Sequence, residues 1–274
     1  KARLLQRVEG SGEPPLPDNP GVILMNTKMK TLSMAVLGLV GFTAAGAAMA
    51  QCPASLVPPW SATNIGGGTS AASSVTGGYD STACRLQSSL GNSGSARAQV
   101  RDDTPANETR YRAQFIFDPA SLSGAGGTNQ AYVFLANSAA PFNGLLQMVR
   151  IQYGESGGGT KRLFITAACN NGTTNICTGQ LDLPTQAGPN RIEIDLTVGP
   201  SGTLRYWVTP LATATTDGSP TGTVTITGGN AGWVGVDQAY LGLGSPTSAF
   251  RTVNTGNNAY FDQFDSRRQT FIGN

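Results

Sequence analysis

The stretch Asn190–Val208 restricts the fold of this chain more than any other. Ile192, Ile194, Leu196 and Val198 alternate with Arg191, Glu193, Asp195 and Thr197. After Gly199-Pro200-Ser201-Gly202, the run Leu204, Tyr206 and Val208 alternates with Thr203, Arg205 and Trp207. A period of two places each set on one face of an extended strand. Pro200 has the fixed φ that opens a type I turn, and Gly202 can take the left-handed position that closes it. The turn predicts a hairpin with Val198 opposite Leu204, Leu196 opposite Tyr206 and Ile194 opposite Val208. All three pairs are apolar, so turn and pattern agree on register. A slip by one residue would turn every aliphatic side chain outward, each at a loss of roughly 1.5–3 kcal/mol. The opposite face sets Asp195 near Trp207 and Arg205, which makes those three the first ligand-binding candidates.

The same period recurs along the chain. Arg110–Asp118 sets Tyr111, Ala113, Phe115 and Phe117 against Arg112, Gln114 and Ile116, and Pro119 ends the run. Strands are also expected at Ala96–Arg101, Ala131–Ala136, Leu145–Tyr153, Arg162–Ala168, Gly179–Leu183, Thr223–Thr227, Gln238–Leu243 and Ala259–Asp265. No window beyond residue 50 has a helical period. About twelve short strands rich in Thr, Val, Ile and aromatics predict an all-β, antiparallel β-sandwich.

The first fifty residues read differently. Residues 25–50 have the plan of a signal peptide: a basic start with Lys28 and Lys30, an apolar run from Thr31 to Ala47, then the small-x-small site Ala48-Met49-Ala50. Cleavage is expected before Gln51. Residues 1–24 precede the natural start and read as a non-native or mis-assigned leader. Residues 51–90, with many Pro, Ser and Gly, read as a flexible segment tethered by a disulfide. Residues 91–274 form the sandwich domain. The expected location is therefore extracellular or periplasmic, with no membrane insertion after cleavage.

Residues 1–50 hold five of the 18 lysines and arginines and three of the 16 acidic residues, which leaves 13 of each beyond them. That balance, with no basic run, argues against nucleic acid as a partner. There is no histidine, which removes Ser-His-Asp and Cys-His catalysis and histidine-bound zinc. Cys52, Cys84, Cys169 and Cys177 all follow the signal, and an even count in an exported chain reads as disulfides. Of the three pairings, Cys52–Cys84 with Cys169–Cys177 is favoured, because it closes the polar loop 170–176 and ties down the N-terminal segment. Loop entropy gives about 3.7 and about 2.6 kcal/mol for them as upper guides.

From Ala96 to Arg268 the chain resembles the laminin-G-like, concanavalin-A-like jelly-roll group. The resemblance rests on Arg112–Asp118, Val149–Tyr153, Arg191–Leu196, Gly202–Val208, Val236–Gly242 and the closing run Ala259–Arg268. It implies a closing strand paired beside the first core strand. Members include lectins, adhesion modules and glycosidases, so the fold does not choose an activity. Glu193-Ile194-Asp195-Leu196 is similar to the start of the laminarinase-type motif. Thr197 and Val198 stand where its second glutamate belongs, so the acid/base is missing. Glu193 and Asp195 are the best carboxylate pair for an enzyme, and no catalytic residue is assigned. Sandwiches of this group can hold calcium near the closing strand, which makes Asp262 and Asp265 candidate ligands, with Asp102-Asp103 a second candidate. No other cofactor is expected. The reading that follows is a secreted, non-catalytic module binding a glycan or a cell-surface partner. An extracellular structural or matrix protein is the alternative, and a polysaccharide-cleaving enzyme comes third.

Overall fold

The computed structural model describes residues 52–267 and 269–273; the expected leader and signal peptide lie outside the described residues. In chain order come β1 (Ala62–Gly66), β2 (Ala71–Thr76), β3 (Cys84–Ser89), β4 (Arg97–Asp102), β5 (Arg110–Asp118), β6 (Gln130–Phe142) and β7 (Leu145–Glu155). Then follow β8 (Lys161–Ala168), β9 (Ile176–Asp182), β10 (Asn190–Thr197), β11 (Thr203–Pro210), β12 (Gly222–Val224), β13 (Gln238–Gly244), α1 (Ser248–Asn254) and β14 (Asn258–Arg267). They form an antiparallel sandwich of two seven-stranded sheets. The first runs β1-β4-β13-β6-β7-β8-β9, the second β12-β11-β10-β5-β14-β3-β2. The closing strand β14 lies between β5 and β3, beside the first core strand, as the resemblance implied.

The core between the sheets is built from the inward halves of the alternating runs. Ile192, Ile194 and Leu196 of β10 and Phe115 and Phe117 of β5 are fully buried there. Aromatic contacts tie the two sheets together: Phe115 stacks on Phe134 of β6 at 5.4 Å, and Phe117 meets the edge of Tyr153 of β7 at 5.5 Å. Both disulfides, Cys52–Cys84 and Cys169–Cys177, have the expected pairing.

The hairpin of β10 and β11 forms with the expected buried face but a register two residues away. Ile192 pairs with Val208, Ile194 with Tyr206 and Leu196 with Leu204. An even shift keeps each side chain on its face and changes only its partner. The Val198 amide donates to Thr109 O at 2.7 Å, which continues the β10–β5 ladder one residue past Thr197, while on the other side Thr197 pairs with Thr203. Pro200 sits inside the turn closed by Gly202 N donating to Gly199 O at 3.0 Å. Gly202 does not take a positive φ, contrary to expectation. It is needed for space, since a Cβ there would lie 2.2 Å from Asn230 Oδ1. That fully buried asparagine accepts from Gly199 N at 2.8 Å and so caps the turn from another loop.

Three further expectations are corrected. Residues 51–90 are not a loose lead-in: β1 pairs with β4, and β2 and β3 extend the second sheet beyond β14. Their weakly apolar sequences are held as strands by ladder bonds to neighbours. A seven-residue helix, α1, is present, anchored by the buried Phe250. β6 runs on to Phe142, because Asn143 (φ 50) and Gly144 (φ 77) make a two-residue hairpin turn into β7. No helix among the described residues is long and apolar enough to cross a membrane.

Candidate functional site

The outer face of the second sheet gathers the residues singled out from the sequence. Strand pairing sets Arg112 of β5, Asp195 of β10 and Arg205 of β11 in one row, and Gln114, Glu193 and Trp207 in the next. Asp195 Oδ2 lies 2.9 Å from Arg112 Nη2 and 3.2 Å from Arg110 Nη2, and also bonds to Arg205 Nη2. Asp217, from the loop after β11, adds a contact to Arg112 at 2.7 Å. Burial pushes the Asp195 carboxyl up, but hydrogen bonds from Arg110 and Arg205 and the charge of Arg112 outweigh it and hold it below its usual range. Glu193 goes the other way. Burial raises it, offset only in part by the amides of Ile272 and Gly273, each donating to its carboxylate at 3.0 Å.

This face is covered. Trp207 does point away from the inter-sheet core, as its register required, but only 1% of it is exposed. Its Nε1 donates to Thr216 O at 3.0 Å, and its ring meets that of Phe271 at 5.3 Å. The loop after β11 and the chain 269–273 thus lie over Glu193, Asp195 and Trp207. The structure brings these three together with Arg205, and it leaves the tryptophan no open surface for a sugar ring.

The calcium candidates are held by other partners. Asp262 Oδ2 accepts from Tyr79 N at 2.6 Å and from the Thr82 hydroxyl, and Asp262 Oδ1 accepts from Gln263 N at 2.8 Å. Asp265 bonds to Arg267 at 2.7 Å. An irregularity in the β14–β5 pairing separates the two aspartates. Asp102 accepts from Thr104 and Ser266, and Asp103 pairs with Arg101 at 2.8 Å. Among the described residues no three His, Cys, Asp or Glu side chains cluster as a metal site would require.

An open cleft lies elsewhere, on the outer face of the first sheet over β6 to β9. Its volume is about 540 Å³, and its lining includes Arg150, Gln152, Arg162, Phe164, Thr166, Thr178 and Gln180. These are the outward members of their strands; Ile151, Tyr153, Leu163 and Ile165 alternate with them and fill the core. Pairing aligns Tyr132 with Gln152, Gln152 with Phe164, and Phe164 with Gln180. The result is a row of alternating rings and amides across four strands, about 14 Å at the usual strand spacing. Tyr132, Gln152 and Phe164 are half-buried and Gln180 is exposed. Only glycine fits at residue 154 beside the row, because a Cβ there would lie 2.7 Å from Asn129 O and 3.3 Å from the Phe164 ring. Alternation in the sequence identifies these strands without singling out their outward residues. The alternation of Arg150 and Gln152 with Ile151 and Tyr153 was the available signal.

The sequence matches no protein family and no curated protein. Solved structures match it at low identity. A cellulose-induced protein has a TM-score of 0.47 at 14% identity over 77% of this chain and 91% of that one. An alginate lyase from Pseudomonas aeruginosa has a TM-score of 0.46 at 14% identity, covering 68% and 83%. The receptor-binding domain of botulinum neurotoxin mosaic serotype C/D has a TM-score of 0.44 at 9% identity over 73% of this chain. The chain spans less than half the length of the botulinum neurotoxin domains it matches, 42% and 44% of two of them.

Proposed function

We propose that this chain is an exported β-sandwich module that binds a glycan across the open face of β6 to β9. The row Gln152–Phe164–Gln180 in the cleft, continued on β6 by Tyr132 just beyond the lining, carries the proposal. An aromatic ring offers an apolar face to the C–H side of a sugar, and flanking amides can both donate to and accept from its hydroxyls. A cleft with a few polar groups converging on an apolar patch is the usual form of a small-ligand site. The reading is of binding rather than cleavage. The cleft lining has no carboxylate, thiol or amine to act as general acid or base. On the other face, Asp195 is engaged by guanidinium groups and Glu193 by backbone amides. Export is supported by the signal-like residues 25–50 and by two disulfides, which persist in oxidising compartments. The laminin-G-like assignment is the finer reading of the fold, supported by the place of β14 beside β5.

The test is a glycan panel read against the full chain and its F164A variant. Saturable binding by the full chain is expected, weakened about tenfold or more in F164A with the fold intact by circular dichroism. No glycan bound by the full chain, or F164A binding as well as the parent, would reject this site.

A further inference from the structure

The charges in the cleft narrow the class of glycan, an inference that rests on the glycan-binding reading above. We propose that this face selects anionic glycans, chains carrying carboxylate or sulfate groups, with Arg150 reading the charge and Arg162 assisting. The cleft lining holds these two guanidiniums and no carboxylate. Arg150 is half-buried on β7, directly opposite Thr166 of β8. Its Nε donates to Thr166 Oγ1 at 3.2 Å, which pins one edge of the guanidinium. Among the described residues no carboxylate comes within ion-pairing distance of it. Among the described residues neither Nη group has a hydrogen-bond or ion-pair partner, so both are available to a ligand. A planar fork of that kind matches the two oxygens of a carboxylate or sulfate.

Arg162 is placed differently. Its Nε and Nη2 both bond to the same oxygen of Asp182, at 3.1 and 2.8 Å, and Asp182 is more than half exposed. An exposed pair of this kind is weak, so an arriving anion can share the guanidinium. Strand pairing fixes where the two cations stand. Gln152 faces Phe164; Arg150 lies two residues to one side of that row, and Arg162 two residues to the other. Same-face neighbours along a strand are about 6.7 Å apart. A chain lying along the row of rings and amides therefore meets one guanidinium on each flank. Nucleic acid fits less well: two cations give little of the multiple phosphate neutralisation on which such binding depends.

The proposal is tested by calorimetric titration of the full chain with four probes: a neutral cello-oligosaccharide, an oligogalacturonate, a sulfated galactan oligosaccharide and oligo-dT. One or both anionic glycans should bind at least tenfold tighter than the neutral chain, with affinity falling as salt rises. The two anionic arms tell carboxylate from sulfate. Arg150→Gln should lose about tenfold for the anionic chain and markedly less for the neutral chain. Arg162→Gln should lose less, and both variants should keep the parent circular dichroism spectrum. Equal or tighter binding of the neutral chain, or Arg150→Gln binding the anionic chain at full strength, overturns the charge selection and leaves the glycan site standing. Tightest binding to oligo-dT reassigns the cations to phosphate and overturns it as well. No binding to any glycan removes the glycan site itself and this inference with it.

Discussion

Asp195 and Glu193 sit two residues apart on one strand face, and their surroundings drive them in opposite directions. Asp195 gathers Arg110, Arg112 and Arg205, and of these Arg112 has no exposed surface. Removing one partner from such a group strands buried charge, which costs more than the ion pair itself contributes. Asp195→Asn is therefore expected to lose about 3–5 kcal/mol in urea unfolding. Asp217→Asn should lose at most about 1 kcal/mol, because the Asp217 side chain is 52% exposed. The pH dependence has two signs. The depressed Asp195 contributes stability above the ordinary value of 3.8, lost as pH falls through its folded value. The raised Glu193 contributes stability below the ordinary value of 4.5, lost as pH rises through its folded value. Glu193→Gln abolishes the second effect. Upward from pH 4.5, the unfolding midpoint of the parent should fall relative to that of Glu193→Gln, and a constant difference would refute the assignment.

The β10–β11 hairpin shows how an element can be locally encoded and still be adjusted from a distance. Alternation chose the buried face, because side chains on a strand have nowhere else to point. The turn is braced from another loop: Asn230 fills the space beside Gly202 and accepts from Gly199 N, while Val198 continues the ladder with β5. Gly202→Ala should therefore cost about 1–3 kcal/mol through overpacking, read as a lower thermal midpoint. In an Asn230→Ala background the same change should cost far less, since the atoms that obstruct the new methyl are gone; an equal cost in both backgrounds would place the strain elsewhere. The β6–β7 hairpin was legible only in part: alternation ended β6 at Ala136, whereas the turn at Asn143-Gly144 carries it to Phe142. Asn143-Gly144 is the strongest short hairpin signal there is, and both residues take the positive φ that it demands. Strands β1 to β3 were not legible, since Ala71–Thr76 and Cys84–Ser89 lack the apolar alternation by which a strand is recognised.

Across the whole molecule, the segment 52–90 supplies one edge of each sheet. β1 edges the first sheet, and β3 covers β14 in the second, with Leu86 and Leu90 in the core. A chain beginning at residue 91 would expose the free edge of β14 and lose the Cys52–Cys84 link. Such a truncation is expected to aggregate or be cleared by limited proteolysis at concentrations where the full chain stays intact. A stable, monomeric truncated protein would show that the segment is an appendage after all. At the same scale the candidate site changes sheets. The outward charges of β10 and β11 were conspicuous in the sequence, yet the loop after β11 and the chain 269–273 cover them. The outward residues of β7 and β8 were inconspicuous, and the cleft over them stays open.

Local pattern alone established that the chain is all-β, which side of each strong strand is buried and that this sequence offers no histidine, and it favoured the pairing Cys52–Cys84 with Cys169–Cys177 that the structure holds. Those properties follow from spacing between near neighbours and from residue counts, which folding does not alter. Only the tertiary structure decided which outer face is covered and which is free, and hence that Trp207 is enclosed while Phe164 lines an open cleft. Alternation divides a strand into two sides. It does not reveal whether a distant loop or tail will find hydrogen bonds on the outer one, as 269–273 finds them on Glu193.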